Sequence, residues 1–597
     1  MLPENSTIKT DHPDHIQTDQ NHIMSDTHLI NMNSKLTDNS MTEFCDKMNL
    51  RIVRELSLCT NHLTCIPNNF SQHLSHLQRL DISNNNLKEL PSSFNLLMKL
   101  EHLKLDHNEF QTLPKVLAEI RSLKTLSISH NKLEEHSEDL GSLINLESLD
   151  LSSNNLSSLP YSFVRLNRLR ELNLAENKFN IIPECIINGM RNLEFLDLSL
   201  NKKIKLNVPP CSRILRKFDA MNNGVCRRFP RWLLTSKFSA LQEVNLNGTE
   251  FTKFKFPDEN SLLNLRSLSM TQSTVSDQIL EKLTRNMIRL EKLNVGNENP
   301  EKEGNILCNL PVQQLKNPHL LREIYIPGVG LPMMGRSVAD LRNITIMDIG
   351  RNRIGWLPDE FCLLQKLEIL IMDNNGLSIL PDNFGNLVAL KELIANSNRL
   401  SNLPDSMGSL KKLCFLDLYE NDFTEMPVDL DNLENLEGLD MEYNFFSTES
   451  LMVRGISYEV MRKSIQERYE SYSQRTVGTK VRPEENDYAN SVCSTSSLKS
   501  EFYREIDKDS PDAIYLADDS NLEENWELSE DSTEDYEPNC ITAQKYRYTT
   551  SMVPTKFSEH FFCPADLHVM PIQEQVLYMR DDAISMPNFE EGQFDDA

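Results

Sequence analysis

The chain has 597 residues, a formal net charge of −27 at pH 7 and a hydrophobic fraction of 39%. This acidic balance disfavours nucleic acid and anionic membranes as partners, because both carry negative charge themselves. No run of about eighteen apolar residues occurs, so we expect no membrane span. The amino terminus also lacks the basic and apolar regions of a signal peptide.

Residues 1–45 are polar and lack hydrophobic periodicity, which predicts a disordered tail. Residues 41–50 (MTEFCDKMNL) are expected to form a short helix that caps the first repeat, because an uncapped repeat exposes its apolar side chains. We predict no metal site in the tail, because its histidines have no companion cysteine and no regular spacing. They are His12, His15, His22 and His28.

From residue 46 onward the sequence repeats itself at intervals of about 23 residues, which is a leucine-rich-repeat period. Leu149 and Asn154, for example, return as Leu172 and Asn177. The alternating leucines predict a short strand with its leucines turned inward. The Asn is expected to bind backbone groups where the chain leaves the strand. One unit cannot bury its leucines alone, so neighbouring units must stack into a solenoid.

The Asn position recurs regularly in residues 46–202 and 343–446, which we predict to be regular repeats. The spacing lengthens in residues 203–342, where we predict irregular repeats and, at 296–318, a loop that leaves the solenoid. In this middle block the Asn position is taken by Thr249, Ser273, Glu298 and Val329.

The carboxyl-terminal part changes character twice. Residues 447–475 carry apolar side chains at helical spacing, including Met461 and Ile465, which predicts a helical cap. Residues 476–597 are predicted to be an acidic disordered tail, because residues 471–597 contain 27 acidic and 10 basic residues. Within the tail, Ser532-Thr-Glu-Asp535 matches acid-directed phosphorylation spacing.

Segments such as LEHLKLDHNEFQTLPKVL (100–117) and LEILIMDNNGLSILPDNF (367–384) carry the full repeat consensus. This consensus resembles the intracellular leucine-rich repeats of the Ras-suppressor, Shoc-2 and Scribble group, over roughly residues 50–450. The resemblance implies an α/β solenoid, a horseshoe with a parallel sheet on its concave side, and a scaffold role in signal transduction. Some members recruit a protein phosphatase through a basic-Val-x-Phe motif, but KFKFP (253–257) lacks the aliphatic residue.

The twelve cysteines are scattered along the chain. Secreted leucine-rich-repeat proteins resemble one another in having clustered cysteines that staple both caps, and no such clusters occur here. The spacing therefore predicts reduced thiols and a cytoplasmic location, with the nucleus as the alternative.

Side chains that lie between the leucines of a strand face the concave surface. They are small and polar in the first regular block, whereas several are apolar in the second. Strands in a sheet lie about 5 Å apart, so these side chains predict an apolar strip with an acidic rim, typical of a protein interface. The predicted partner-binding residues are Ile346, Ile369, Ile371, Ile394, Phe415, Asp417, Tyr419, Asp440 and Glu442.

Two other interpretations of the strip stay open. The chain's own tail or the loop 296–318 could cover it, or the apolar residues could have no binding role. If the strip is an interface, its acidic rim (which also includes Asp348 and Asp373) favours a protein partner with a basic surface and makes binding sensitive to salt.

No catalytic motif with a recognisable mechanism is present, and His102, His107 and His130 are explained as surface residues of repeats. We therefore predict a monomeric, non-enzymatic adaptor that uses no cofactor or metal. The alternative is a regulatory or targeting subunit of an enzyme complex, such as a protein phosphatase or a ubiquitin ligase.

Overall fold

The computed structural model describes residues 29–31, 36–38, 41, 53–134, 138–256, 262–299, 302–313, 315–448 and 451–473. The predictions for the acidic tail 476–597, the four tail histidines and most of residues 1–50 lie outside the described residues. The chain divides into two compact units. Unit 1 runs to Ile204 and also holds Val208–Ala220, and unit 2 holds Lys205–Asn207 and continues from Met221.

Unit 1 is built on a sheet of short parallel strands, one from each repeat. The strands pair in register, so that Leu103, Leu126 and Leu149 occupy equivalent central positions. These central residues are fully buried, which places a leucine core directly behind the sheet. The strands are β1 (Leu29–Asn31), β2 (Glu55–Ser57), β3 (Arg79–Asp81), β4 (His102–Lys104), β5 (Thr125–Ser127), β6 (Ser148–Asp150), β7 (Glu171–Asn173), β8 (Phe195–Asp197) and β9 (Lys217–Asp219).

Strand β1 falls inside the amino-terminal segment for which the composition predicts disorder. It pairs in parallel with β2, with Ile30 opposite Leu56. Leu36 and Met41 are buried nearby, and the Leu36 amide donates to the Asn61 side chain at 2.9 Å. Tertiary contacts therefore order part of this polar segment against the first repeat.

Opposite the strands, each repeat of unit 1 returns through a short helical turn. In several repeats a proline precedes the turn in an extended conformation, such as Pro91 and Pro160, because its fixed φ suits that position. Phe94 and Phe163 in these turns are fully buried and close the convex side of the core. The 3-10 helices are Phe70–His73, Ser92–Leu96, Lys115–Glu119, Glu138–Ser142 and Tyr161–Arg165, and the α-helix α1 is Glu184–Asn188.

The repeated Asn has the predicted role, which its hydrogen bonds confirm. The Asn154 side-chain amide donates to the carbonyl groups of Ile128, Leu151 and Ser152 at 3.0–3.1 Å. Its side-chain oxygen accepts from the Leu133 amide at 3.0 Å. The residue before it, Ser153, has a φ of 52°, which turns the chain out of the strand.

Unit 2 has the same plan with more variation. Its main sheet joins β11 and β13–β20 in parallel, whereas β10 pairs with β12 and β21 with β22 in two separate sheets. The strands are β10 (Gly224–Arg228), β11 (Glu243–Asn245), β12 (Thr249–Lys253), β13 (Ser267–Ser269), β14 (Lys292–Asn294), β15 (Glu323–Tyr325), β16 (Ile346–Asp348), β17 (Ile369–Ile371), β18 (Glu392–Ile394), β19 (Phe415–Asp417), β20 (Gly438–Asp440), β21 (Met452–Val453) and β22 (Ile456–Ser457).

Two α-helices interrupt the short turns of unit 2. Helix α2 (Asp277–Thr284) lies within the predicted irregular block, and helix α3 (Tyr458–Ser473) follows the last repeat. The remaining turns are 3-10 helices at Arg231–Leu234, Ser236–Phe238, Pro318–Leu320, Arg336–Asp340, Asp359–Leu363, Phe384–Asn386, Asp405–Ser409 and Val428–Asn432.

The described part of the predicted loop 296–318 does not leave the core, so that expectation was wrong. Asn305 is buried, and its side-chain amide donates to the Met270 and Val295 carbonyls at 2.7 and 2.8 Å. Its oxygen accepts from the amides of Ser273 and Val275 at 3.0 and 2.8 Å. Asn305 thus supplies the ladder amide at this repeat, a role that the spacing does not reveal because insertions displace it along the chain.

Candidate partner-binding surface

The register of unit 2 arranges the predicted strip in two rows on the sheet face away from the leucine core, hereafter the open sheet face. One row contains Ile346, Ile369, Glu392, Phe415 and Gly438 in order, and the other contains Asp348, Ile371, Ile394, Asp417 and Asp440. Adjacent strands lie about 4.8 Å apart, so neighbours within a row are in contact range.

Four isoleucines form the apolar centre of this face, hereafter the isoleucine patch: Ile346, Ile369, Ile371 and Ile394. Ile346 pairs directly with Ile369, and Ile371 pairs with Ile394. All four side chains are half-buried, whereas the residues between them in the strands are fully buried. The patch therefore offers apolar surface that the core does not use.

Tyr325 extends the patch by one strand and was not among the predicted residues. It pairs with Asp348, is half-buried, and its hydroxyl donates to the Glu323 carboxylate at 3.1 Å. The ammonium group of Lys292 lies 5.0 Å from the centre of its ring. The alternation in β15 could have identified it, but the irregular spacing hid that strand.

The acidic side of the patch carries less charge than its composition suggests. Burial raises the pKa of Asp348 to about 7, and the Asp373 carboxylate adds to this effect. The Gly350 amide, which donates to Asp348 at 3.0 Å, opposes it. Burial also raises the pKa of Asp373, against the attraction of Arg351. Near neutral pH, Asp348 is therefore partly protonated.

Helix α3 lies across the open sheet face at the last strand, β20. The Tyr458 hydroxyl lies 3.3 Å from the Asp440 carboxylate and accepts from the Met441 amide at 2.9 Å. The Arg462 guanidinium lies 3.9 Å from Asp440 and 3.8 Å from Glu442. Asp440 is fully buried as a result.

The same helix continues over β19 and reaches β18. The Arg468 guanidinium pairs with Glu392 and lies 5.5 Å from the centre of the Phe415 ring. The Tyr469 hydroxyl donates to the Asp417 carboxylate, which is fully buried. Residues of α3 thus cover the open sheet face up to the border of the isoleucine patch.

This arrangement corrects the predicted strip at two positions and places two more beside the helix. Asp417 and Asp440 are fully buried beneath α3, whereas Phe415 and Glu442 contact α3 and stay half-buried. The covering segment is the predicted helical cap, not the acidic tail or the loop 296–318. The helical spacing of Met461 and Ile465 predicted the helix but not the surface on which it packs. Tyr419 stays half-buried at the edge, with its ring 5.0 Å from that of Tyr443.

Gly438 is the one sequence signal for this packing. A β-carbon there would lie 2.6 Å from Cδ1 of Phe415 and 3.1 Å from Cβ of Ile465. A glycine inside a strand often marks a close approach of another segment. The missing side chain at Gly438 makes room for Ile465 of α3.

The histidines His102, His107 and His130 lie in unit 1. The rings of His107 and His130 stack at 4.1 Å between centres, at consecutive turn positions, and His102 lies on β4. Within the described ranges, no group of three or more His, Cys, Asp or Glu side chains is placed to hold a metal ion. The helices of the same ranges include none with the length and apolar character needed to cross a membrane.

Comparison with known proteins places these repeats in context. A family model described as a leucine-rich repeat region matches residues 29–280, and a leucine-rich repeat model matches residues 366–387. The structure of a leucine-rich-repeat protein from Leptospira interrogans matches with 26% identity and a TM-score of 0.54, over 73% of this chain and 98% of that one. No curated protein sequence gives a match.

A second similar structure is the ectodomain of the plant membrane receptor kinase GASSHO1/SCHENGEN3 from Arabidopsis thaliana, in complex with CASPARIAN STRIP INTEGRITY FACTOR 2. Its identity to this chain is 25% and its TM-score is 0.42. The match covers 66% of this chain and 51% of the receptor ectodomain, so this chain spans about half of that relative's length.

Proposed function

This chain is a leucine-rich-repeat protein, and from that premise we propose that it is a non-enzymatic adaptor that binds a protein partner on the isoleucine patch. Repeat solenoids present extended sheet surfaces on which partners dock. The leucine-rich-repeat fold is typically a protein-interaction module. The proposal adds the site, a scaffold role in signal transduction and a cytoplasmic location.

The observation that supports the site is the pairing of four isoleucines in register on a face that is otherwise polar or covered. Ile346 lies beside Ile369, and Ile371 beside Ile394, while Tyr325 lies one strand further on, opposite Asp348. A contiguous apolar patch within a polar rim is the usual composition of a protein interface. Such a patch concentrates binding energy in a few central side chains.

The partner proposed for this patch is a protein segment with exposed aliphatic or aromatic side chains. A basic partner surface has weaker support than the sequence suggested, because three of the five acids in the predicted rim (Asp417, Asp440 and Glu442) face α3. Asp348 and Asp373 remain, and the pKa of each is raised by burial. Binding should therefore depend mainly on apolar contact and only modestly on salt.

The test is a double substitution, Ile371→Asp with Ile394→Asp, in the full chain. Quantitative affinity purification from cells should show partner capture reduced by at least about tenfold. The reason is that each introduced carboxylate is costly to bury in an apolar interface. The matched control is Ile379→Asp with Val388→Asp, two exposed apolar residues of the same repeats outside the strands. Unchanged capture by the first variant, with circular dichroism showing an intact fold, would refute the site.

The identity of the captured proteins tests the remaining part of the proposal. Signalling or cytoskeletal proteins that depend on Ile371 and Ile394 support an adaptor. Capture of a phosphatase or ubiquitin-ligase catalytic subunit through the same residues supports a targeting subunit instead. The cytoplasmic location rests on the scattered cysteines of the sequence, and imaging of the tagged full chain tests it directly.

A further inference from the structure

Unit 2 contains a basic patch that contrasts with the net charge of −27 of the chain. Residues 224–256 hold six basic and two acidic residues. Four of the basic side chains are exposed and two are half-buried. The basic patch consists of Arg227, Arg228, Arg231, Lys237, Lys253 and Lys255.

Two groups of buried aromatic rings anchor the segments that carry these residues. The Phe229 ring lies 5.4 Å from the Phe251 ring and 5.3 Å from the Phe254 ring, between centres. The Trp232 ring lies 4.8 Å from the Phe238 ring. All five aromatic residues are buried.

Each of five basic residues is the chain neighbour of one of these aromatics, which fixes where its backbone lies. Arg228 precedes Phe229, Arg231 precedes Trp232, and Lys237 precedes Phe238. Lys253 and Lys255 flank Phe254 in the same way. In addition, Arg228 and Lys253 are paired residues of strands β10 and β12, so their Cα atoms are about 5 Å apart.

Cationic side chains that start from neighbouring backbone positions repel one another and favour a bound anionic group. Arg227, Arg228, Arg231 and Lys237 form no ion pair with any acidic residue in the described parts of the chain. Other exposed cations of these repeats, such as Arg266, are paired with a carboxylate, here that of Glu291 at 2.7 Å. These four cations thus carry positive charge that no acidic residue of the described repeats neutralises.

The chain itself carries a matching polyanion. Residues 518–537 contain ten acidic and no basic residues, and they include Ser520, Ser529, Ser532 and Thr533. We propose that segment 518–537 docks on the basic patch of the same molecule. The contact is electrostatic, involves many weak pairs and strengthens when the hydroxyl groups in the segment are phosphorylated.

The covalent connection allows this contact. Helix α3 ends at Ser473 and reaches β18, six strands from β11 in the order of the main sheet. At about 4.8 Å per strand this separation is about 30 Å, whereas 45 residues of chain can extend to roughly 150 Å. An intramolecular segment also has an effective concentration in about the millimolar range, which favours it over a free anionic partner.

The test uses the full-length protein and a carbodiimide, which joins lysine directly to carboxylate groups. Mass spectrometry should find links from Lys237, Lys253 and Lys255 to acids within 518–537. Raising the salt concentration from about 0.05 M to about 0.5 M should remove most of them, because it shortens the screening length. In an equal mixture of heavy- and light-isotope protein, the links should stay within one chain.

Two variants show whether the contact is specific. Arg227→Glu with Arg228→Glu should reduce the links to Lys253 and Lys255 by at least about tenfold, because it juxtaposes like charges. Lys115→Glu with Arg121→Glu makes the same change in net charge at exposed sites of unit 1 and should leave the links unchanged. Replacing the ten acids of 518–537 by their amides removes the anion without changing the repeats. In that variant, we expect no change in the reactivity of the patch lysines that persists at high salt.

Three results would overturn the proposal. The first is that links form only to Asp258 and Glu259, which follow the patch in sequence and lie outside the described residues. The second is that links join heavy to light chains, which would make a second copy the occupant. The third is an equal loss of links in the arginine variant and in the unit 1 control.

Discussion

The Arg468 guanidinium lies 2.5 Å from the Glu392 carboxylate, joining helix α3 to strand β18 across 76 residues of sequence. The Glu392 side chain retains 9% of its exposure and the Arg468 side chain 35%. The pair stands at the border between the covered strands β19 and β20 and the isoleucine patch, because β18 also carries Ile394. It therefore sets how much of the open sheet face a partner can reach.

Arg468→Ala should destabilise the carboxyl-terminal repeats by about 2 kcal/mol, because it leaves the Glu392 carboxylate buried without its partner, while the partial exposure of Arg468 moderates the loss. Arg468→Ala with Glu392→Gln should recover most of this stability. Chemical denaturation of the full chain and limited proteolysis at α3 measure both effects.

The control lies on the same helix. Lys463 faces Glu467 at 3.8 Å, and both side chains are largely exposed. Lys463→Ala should therefore change stability by less than about 0.5 kcal/mol. If both alanine variants behave alike, the Arg468–Glu392 pair does not hold α3.

Gly438→Ala should loosen α3 by crowding rather than by loss of charge. The new β-carbon would lie 2.6 Å from Phe415 and 3.1 Å from Ile465, so Phe415 or the helix must shift. We expect a loss of about 2 kcal/mol and faster hydrogen exchange of the α3 amides. Gly376→Ala is the matched control, because its nearest neighbour, the Ile354 carbonyl oxygen, is 3.8 Å away. Equal exchange in both variants would contradict this packing argument.

The repeat spacing was enough to predict the regular strands and the direction of their side chains. Alternation places Leu370 in the core and Ile369 and Ile371 on the opposite face, because successive side chains of a strand point to opposite sides. The Asn ladder follows from the same spacing, since each backbone group that leaves the sheet needs a hydrogen-bond partner. These are local rules, and they hold wherever the period is kept.

Contacts between distant segments could not be predicted in this way. The sequence predicts that Asp417 and Asp440 belong to an exposed rim, but in the structure Tyr469 and Arg462 of α3 contact them. Asn305 takes its ladder position from an insertion of irregular length. Both depend on where a segment packs, and periodicity contains no information about that.

Asn154→Ala tests the ladder that supports the regular repeats. The substitution leaves the buried Leu133 amide without its partner, whereas the Ile128 and Leu151 carbonyls keep their bonds from Asn131 and Asn177. A buried donor without a partner costs about 1–3 kcal/mol, so we expect a loss of about 2 kcal/mol. Asn86→Ala removes an exposed amide of another repeat and should cost less than about 0.5 kcal/mol. Thermal and chemical unfolding measure both, and similar losses would argue against the ladder as the cause.

Asp348 should make the stability of unit 2 depend on pH, because burial raises its pKa from 3.8 to about 7. Between these two values the folded protein holds the proton more tightly than the unfolded chain does. The free energy of unfolding should therefore fall as the pH rises from about 4 to about 7 and stay low above that range. The stabilisation that comes from the protonated Asp348 carboxyl group is fully present only at a pH below the pKa of this group in the unfolded chain.

Asp348→Asn removes this dependence, because the amide stays neutral while its oxygen can still accept from the Gly350 amide. The variant should match the wild-type protein near pH 4 and be more stable near pH 8, as measured by urea unfolding at both values. Asp340→Asn removes an exposed carboxylate just before β16 and should not change the slope. An equal difference in stability between Asp348→Asn and wild type at both pH values would show that Asp348 does not cause the pH dependence. A stability difference between the two proteins that appears only at high pH would also indicate that the isoleucine patch gains negative charge there. Binding of an apolar partner should then weaken over the same pH range.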